Sequence, residues 1–307
     1  QIASREAAGA VVSVVHRGRL LFSRGYGFAD VDAGVEVDPD ATLFRPGSVS
    51  KLFTWTALMQ QVELGRVDLD ADVNRYIDFV IPPFEGQPVL VRHLLSHSPG
   101  MSDVSGISAR TVEELAYYGD WIKANMPERV WAPGMEISYS NYGVAPDDVP
   151  GERVSGGPFA DYVEKHIFAP LKMNSTTFRE PLPDALAPRM ARGYLLQGGR
   201  FVAQAFELYS SIMPAGSGTS SATDMARFML AMLGEGRLDR ARILKPGSVC
   251  ILFSDSLANA PDLPSMAHGY FVVRHEGPRL VGHGGNTRDF HSILILAPES
   301  GFGFFAS

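Results

Sequence analysis

The sequence predicts an α/β (α+β) fold: an antiparallel β-sheet built from both chain ends and flanked by helices, with an all-helical insertion lobe between them. Three observations carry this expectation. The N-terminal part holds short apolar, β-branched segments separated by turn residues, a strand signature. The same signature returns in the C-terminal stretch. Between them, from about Val91 to Leu233, apolar residues recur at the helical period. Strands first, helices in the middle and strands last put the two chain ends into one sheet. The expected division is a sheet lobe of residues 1–66 and 236–307 and a mainly helical lobe of residues 67–235. A cleft between lobes is a common place for a ligand.

Each element has its local reason. Ala10 to His16 is apolar and β-branched, Arg17-Gly18 makes a turn, and Leu20 to Tyr26 continues, which reads as a hairpin. After turn-rich sequence ending at Pro46-Gly47, Ser48 is a good N-cap for a helix that runs without a breaker to Gly65, a natural C-cap. Asp68 to Tyr76 is acidic and reads as a surface loop. Arg92 to His97 is a short helix ended by Pro99-Gly100, and Thr111 to Asn125 is another. Phe159 to Leu171 is amphipathic, with Phe159, Tyr162, Val163, His166, Ile167 and Leu171 on one side. Ser221 caps a helix to Leu233 whose stripe of Met225, Phe228, Met229 and Met232 reads as core. Tyr270–Val273, Arg279–Gly282, Phe290–Leu296 and Gly301–Ala306 are the late strands.

Composition limits the function. The 307 residues, 45% of them hydrophobic, are enough for a large buried core. With a net charge of −7 and no Lys/Arg cluster, the chain is a poor nucleic-acid binder, and a small organic substrate fits better. A single cysteine, Cys250, excludes an internal disulfide, and its apolar neighbours Val249 and Ile251 point to a buried, inert thiol. No apolar run approaches the roughly 18 residues of a transmembrane helix. The chain begins at Gln1 without an initiator Met, as a mature or trimmed form would.

Three short constellations can carry chemistry. Ser48-Val49-Ser50-Lys51 places a hydroxyl and an amine three residues apart at a helix start, on one face. Backbone N–H groups and the helix dipole there favour developing negative charge. A serine needs a base to become a nucleophile. The same residues also read as a capping serine with a surface lysine. Tyr139-Ser140-Asn141 reads as a loop or helix entrance whose Tyr and Asn can face one cleft, or as an ordinary polar turn. His283-Gly284-Gly285 belongs on or beside a strand edge, where glycines let a substrate backbone approach. Its decoys are His275-Glu276-Gly277 in a charged turn, His16-Arg17-Gly18 in the hairpin turn, and Lys245-Pro246-Gly247, whose proline suits a loop. His93 and His97, four apart, share a helix face, but no third ligand stands at a supporting spacing, so structural roles are expected and no metal.

Together, in this order and placement, the three motifs resemble those of the serine β-lactamase and penicillin-binding-protein family, in particular its class C β-lactamase-like branch. That branch includes D-alanyl-D-alanine carboxypeptidases, D-aminopeptidases and β-lactamase-like carboxylesterases. Phe44 to Lys51, His93 to His97 with Pro99-Gly100-Met101, and Gly282 to Thr287 are similar to the family beyond the motifs, and the likeness covers nearly the whole chain. The resemblance implies the β-lactamase/transpeptidase-like fold and a serine hydrolase that forms an acyl-enzyme on ester, amide or β-lactam carbonyls without a cofactor. It implies Ser48 as nucleophile, with Lys51 and Tyr139 sharing the proton transfers. It implies Asn141, His283, Gly284 and Gly285 as substrate-binding, with His283 in the place of a lysine giving electrostatic support. The backbone N–H groups of Ser48 and Asn286 would form the oxyanion hole. The alternative is a non-catalytic penicillin-binding sensor with the same fold. A histidine in the third motif leans toward a peptidase or esterase. The family suggests a periplasmic or secreted location, with cytoplasmic esterases as the other case. Two departures stand out. Val144 to Gly151, with two prolines, is poor in helix formers where relatives carry an apolar helix, and relatives add a closing helix beyond the position of Ser307.

Overall fold

The computed structural model describes residues 6–116, 118–144, 152–260, 263–273 and 277–307. Its frame is an eight-stranded antiparallel sheet. In spatial order the strands are Val35–Glu36, Arg19–Asp30, Gly9–His16, Phe302–Ala306, His291–Ala297, Leu280–Asn286, Phe271–Val273 and Ser265–Met266. The first and last strands of the chain are neighbours, with Val12 opposite Ala306 and His16 opposite Phe302. The N-terminal hairpin turns at Arg17 and Gly18, both at positive φ (47° and 75°), the geometry a two-residue hairpin demands.

Strand alternation sets the inner face. Val11, Ser13 and Val15 are buried, as are their cross-strand partners Phe305 and Gly303 and, one strand further, Leu294 and Leu296. Helix Ala222–Leu233 covers this face. Ser221 caps it by accepting a hydrogen bond from the Asp224 N–H (3.2 Å), and its methionine stripe is buried. Helix Lys51–Glu63 is buried on all sides from Lys51 to Met59, because other elements pack around it. Phe53 meets Phe168, Phe178 and Phe228 at ring-centroid distances of 5.1, 6.2 and 4.6 Å.

Several local expectations are corrected. Ser48 does not cap the helix by its side chain. It lies inside a 3-10 turn, Gly47–Ser50, that leads into the α-helix, so its hydroxyl is left available. The Asp68–Tyr76 stretch is not purely surface: Ala71 and Val73 are buried, and Asp72 caps a 3-10 turn through the Asn74 N–H (2.9 Å). The Thr111–Asn125 helix is split into Val112–Glu114 and Tyr118–Ala124, where β-branched residues and Gly119 weaken a continuous helix. Phe159–Leu171 is helical throughout but passes through a π-turn at Glu164–Phe168. The extra residue rotates the face, so His166 is exposed and stacks on Tyr162 at 4.4 Å.

The mainly helical stretch also contains a hairpin, Tyr194–Gln197 with Arg200–Ala203, turned by Gly198-Gly199. Cys250 is exposed rather than buried. Helix Pro246–Phe253 buries Ser248, Val249, Leu252 and Phe253, and the helical period leaves position 250 outside. Most of the proline-bearing segment after the second motif, residues 145–151, lies outside the described residues. Among the described residues no helix is long and apolar enough to cross a membrane.

Candidate active site

Two glycines let the first and third motifs touch. Gly47 has φ +55°, and a Cβ there would meet the Asn286 nitrogen at 3.0 Å. A Cβ on Gly285 would come within 1.9 Å of the Pro46 carbonyl oxygen. The turn at Pro46–Ser48 therefore lies directly on strand Leu280–Asn286. The hydrogen-bond alternation of that strand fixes where its backbone points. Thr287 donates to the Phe290 oxygen (2.8 Å), so by alternation Gly285 and His283 bond to strand His291–Ala297, while Asn286 and Gly284 turn their N–H and C=O groups to the other edge. On that side, strand Phe271–Val273 reaches the strand Leu280–Asn286 only from Leu280 to Gly282, which leaves the edge open beyond Gly282. Ser48 carries one of the N–H groups that a first helical turn leaves without an intrahelical acceptor.

Lys51 joins the first and second motifs. Its Nζ donates to Ser48 Oγ at 2.9 Å, to Asn141 Oδ1 at 2.9 Å and to the Ala215 carbonyl oxygen at 2.7 Å. These bonds hold the Lys51 amine between the first two motifs. Ala215 belongs to the short helix Met213–Gly216 and carried no signal in the sequence.

The loop holding Tyr139 and Asn141 is tied down by Asp103, whose Oδ1 accepts from the Asn141 N–H (3.1 Å) and the Ser140 hydroxyl (3.3 Å). His97 ties it from the other side. The Ser138 N–H donates to the His97 carbonyl oxygen at 2.8 Å, and the Ser140 N–H to His97 Nδ1 at 3.4 Å. The Tyr139 ring stacks on His97 (4.4 Å between centroids, 28° between planes) and faces Phe271 at 6.2 Å and 19°. Lys51 Nζ lies 5.2 Å from the Tyr139 ring centre. Burial raises the phenol's pKa well above its usual value, against the lowering influence of the Ser48 hydroxyl, so it is protonated at neutral pH. Its hydroxyl has no formed hydrogen bond among the described residues.

His283 is buried on the inner side of its strand, 5.9 Å from Tyr139 and 5.2 Å from Phe271 by ring centroids. Burial first and the Lys51 charge second push its pKa down to about 3. The imidazole is therefore uncharged, and any support it gives is that of a neutral dipole rather than of a lysine's cation. Nδ1 faces the Gly284 carbonyl oxygen, which assigns the proton to Nδ1 and leaves Nε2 as a free acceptor. Gly284 is exposed on the open edge, whereas Gly285 is buried by its packing on Pro46. Among the decoys, His16-Arg17-Gly18 is the hairpin turn, Lys245-Pro246 opens a helix, and His275-Glu276 lies outside the described residues.

A cavity of about 260 Å³ opens beside Ser48, lined also by Ser108, Asn141, Tyr209, Ile212 and Asn286. A larger one, about 520 Å³, lies elsewhere, between the N-terminal strands and the 194–203 hairpin, and is lined by none of the motif residues. The convergent polar groups mark the smaller cavity as the candidate site. His93 and His97 do not share a helix face. The helix ends at Leu95, and His97 takes a left-handed backbone (φ +49°) that swings its ring into the site. His93 instead accepts the Leu90 N–H at Nδ1 (3.1 Å). Among the described residues no cluster of His, Cys, Asp and Glu could hold a metal ion.

These buried histidines give a pH prediction. Burial, aided by Arg92 and Arg129, pushes the pKa of His93 down to about 4. Burial, aided by Lys51 and His283, pushes that of His97 well below its usual value. A histidine depressed in the fold binds fewer protons than in the unfolded chain between its two pKa values. Its stability contribution is full above about pH 6.5 and is lost as pH falls toward 4 and below. Burial raises Glu180, Asp224 and Asp289, which act with the opposite sign from their lower starting values. The urea midpoint is expected to fall as pH drops from 6.5 to 4, and His93→Gln should flatten that slope. A midpoint independent of pH over this range would refute the burial argument.

The comparisons with known proteins give the family and the fold. A family model described as Beta-lactamase matches residues 1–306. The curated protein flp of Staphylococcus aureus (strain MW2) is 27% identical over 299 residues, covering 96% of this chain and 58% of its own length. The putative penicillin-binding protein PbpX of Bacillus subtilis (strain 168) is 28% identical over 246 residues, 76% of this chain and 58% of its own. The chain thus spans under two thirds of the curated relatives it matches. Among solved structures, the octameric penicillin-binding protein homologue from Pyrococcus abyssi superposes with a TM-score of 0.84 at 26% identity, over 99% of this chain and 70% of that one. The D-amino acid amidase from Ochrobactrum anthropi SV3 superposes at 0.74 and 25% identity, over 99% and 87%. With a family match over nearly its full length, a shared sheet-and-helix fold and these relatives, the chain belongs to the beta-lactamase family.

Proposed function

We propose that this protein is a serine acyl-hydrolase that works through a covalent acyl-enzyme at Ser48. The observation that carries the reading is the Lys51 Nζ held 2.9 Å from Ser48 Oγ, beside the Asn286 N–H on the open strand edge and the Ser48 N–H at the start of the first helical turn. In this scheme Ser48 Oγ attacks the substrate carbonyl carbon. Its proton passes to the Tyr139 oxygen as the phenol gives its own proton to the leaving group, with Lys51 supporting the oxygen that loses its proton. Water then attacks the acyl carbon, its proton returns through the same relay to Ser48 Oγ, and the acyl–serine bond breaks. The N–H groups of Ser48 and Asn286 receive the oxyanion, each contributing about 3 kcal/mol to the transition state. Asn141 fixes Lys51 through Oδ1 and leaves its amide N–H groups for a substrate carbonyl. Gly284 offers backbone to an extended substrate along the unpaired edge. The cleft between a sheet lobe (1–66 and 236–307) and a mainly helical lobe (67–235) is the natural frame for this chemistry.

The substrate class we favour is an ester or an amide of a D-amino acid, with β-lactams as acylating analogues. The amidase among the structural neighbours and the neutral His283 support it. The test is a panel: a fluorescent penicillin, a chromogenic cephalosporin, p-nitrophenyl acetate and D-phenylalanine amide, followed by turnover and intact mass. We expect an acyl mass on Ser48 or turnover of at least one substrate. Folded protein that reacts with none of the four would end the hydrolase reading.

A further inference from the structure

We infer that His97 is a positioning residue for this reaction: its ring, lying flat on the Tyr139 ring, holds the phenol in the place that brings its hydroxyl to Ser48. The inference rests on the acyl-hydrolase reading above and adds a residue that none of the three motifs contains.

The first support is conformational. His97 has φ +49°, a region that costs a residue with a Cβ roughly 1 kcal/mol or more. What the strain achieves is visible. It turns the side chain away from the end of helix Val91–Leu95 and into the site, where the ring is fully buried. The second support is the set of ties to the second motif. The His97 carbonyl oxygen accepts from Ser138, its Nδ1 accepts from Ser140, and its ring face meets Tyr139 between them. One residue thus holds the chain on both sides of the phenol and the phenol itself.

The third support is the geometry of the sandwich. With His97 at 4.4 Å and 28° on one face and Phe271 at 6.2 Å and 19° on the other, the Tyr139 ring cannot swing toward either face about its Cα–Cβ bond without displacing a neighbour. That torsion decides where the hydroxyl stands, because the oxygen lies on the Cβ–Cγ axis and a ring flip leaves it in place. The stacking needs a flat ring, and the imidazole adds an acceptor for the Ser140 N–H. With Nδ1 accepting, the neutral ring's proton sits on Nε2, which has no partner among the described residues. A buried donor left so costs about 1–3 kcal/mol, a cost an apolar ring would avoid. The groups around the imidazole are Tyr139, the Trp55 indole (6.4 Å), His283 (6.5 Å) and Lys51, and burial first and the Lys51 charge second lower the pKa of both histidines.

The test compares His97→Ala, His97→Asn and His97→Phe with wild type on p-nitrophenyl acetate. Asn keeps an acceptor for the Ser140 N–H but removes the flat ring, and Phe keeps the ring. We expect kcat to fall about 100-fold in the Ala and Asn variants, as for a reacting group misplaced by about 1 Å, with KM within about threefold. The Phe variant should recover to within about tenfold of wild type. The inference is overturned if Asn keeps wild-type kcat, if Phe is no better than Asn, or if the loss lies in KM. Should Ala fail to fold, Asn and Phe decide. A second readout does not depend on turnover. In protein carrying 13C-labelled tyrosine, the Tyr139 ring signal, assigned with Tyr139→Phe, should move in the Asn variant and return toward its wild-type position in Phe. If wild type turns over nothing, the hydrolase reading fails, while an unmoved Tyr139 signal would sink the positioning role separately.

Discussion

Ser48→Ala is expected to lower kcat by about 10⁴-fold or more on any substrate the wild type turns over, and to remove the acyl mass entirely. Losing a nucleophile leaves only the residual catalysis of binding and oxyanion stabilisation. The variant should keep its fold and its ligand. Lys51 loses one of three acceptors but retains Asn141 Oδ1 at 2.9 Å and the Ala215 oxygen at 2.7 Å, so the site stays assembled around the missing hydroxyl. The backbone N–H groups of residues 48 and 286 remain. Affinity for a non-reacting analogue, read by titration calorimetry, should therefore stay within about threefold. A non-catalytic sensor of the same fold differs in the wild type, which would show no turnover and no acyl mass, with a non-covalent ligand held equally by both proteins. Turnover persisting in Ser48→Ala would assign the chemistry to another residue.

The second large effect is on stability. Arg45→Met is expected to cost about 3–5 kcal/mol, the typical loss when one partner of a buried ion pair is removed. The Arg45 side chain is fully buried and pairs with an equally buried Glu180. Its guanidinium lies 4.5 Å from the Phe206 ring centre and 5.2 Å from that of Tyr209, and NH1 reaches the Gly216 oxygen at 3.4 Å. Glu180 in turn accepts the Tyr209 N–H at 2.6 Å. The pair thus clamps the approach to the nucleophile turn onto the segment that supplies Tyr209, Ala215 and Gly216. Burial already raises the Glu180 carboxyl, and Arg45 is the main influence opposing that rise. Without Arg45 the carboxyl should take up a proton at higher pH, so the loss measured by urea unfolding should be larger at pH 7 than at pH 5. Adding Glu180→Gln should recover part of it, because the two effects are coupled. A loss under about 1 kcal/mol at pH 7 would show that the pair carries little of the fold's stability.

Local signals were read where local physics decides. The hairpin at Arg17-Gly18, the cap at Ser221 and the methionine stripe behind it follow from turn geometry, capping and helical period within a few residues. So does the reach from Lys51 to Ser48, which the three-residue spacing on a helical turn allows. The readings that changed are those where a neighbour distant in sequence intervenes. A π-turn exposes His166, and Cys250 lies on the outward side of a helix that flanking apolar residues alone cannot orient. Ser48 enters its helix through a 3-10 turn because Gly47 and Gly285 bring Pro46–Ser48 onto a strand more than two hundred residues away in the chain.

The sequence alone determined the order of elements, the closing of one sheet from both chain ends, and three motifs that together resemble one family. It could do so because periodicity, turn chemistry and short spacings are properties of adjacent residues. Only the tertiary structure decided what completes the site: the Ala215 carbonyl that accepts a hydrogen bond from Lys51, the Asp103 carboxylate under Asn141, and the His97 and Phe271 rings around Tyr139. It also decided that His283 is buried deeply enough, and close enough to Lys51, to be uncharged. Contacts, burial and charge environment depend on what the fold brings together, and Lys51 meets Asn141 across 90 residues and Ala215 across 164.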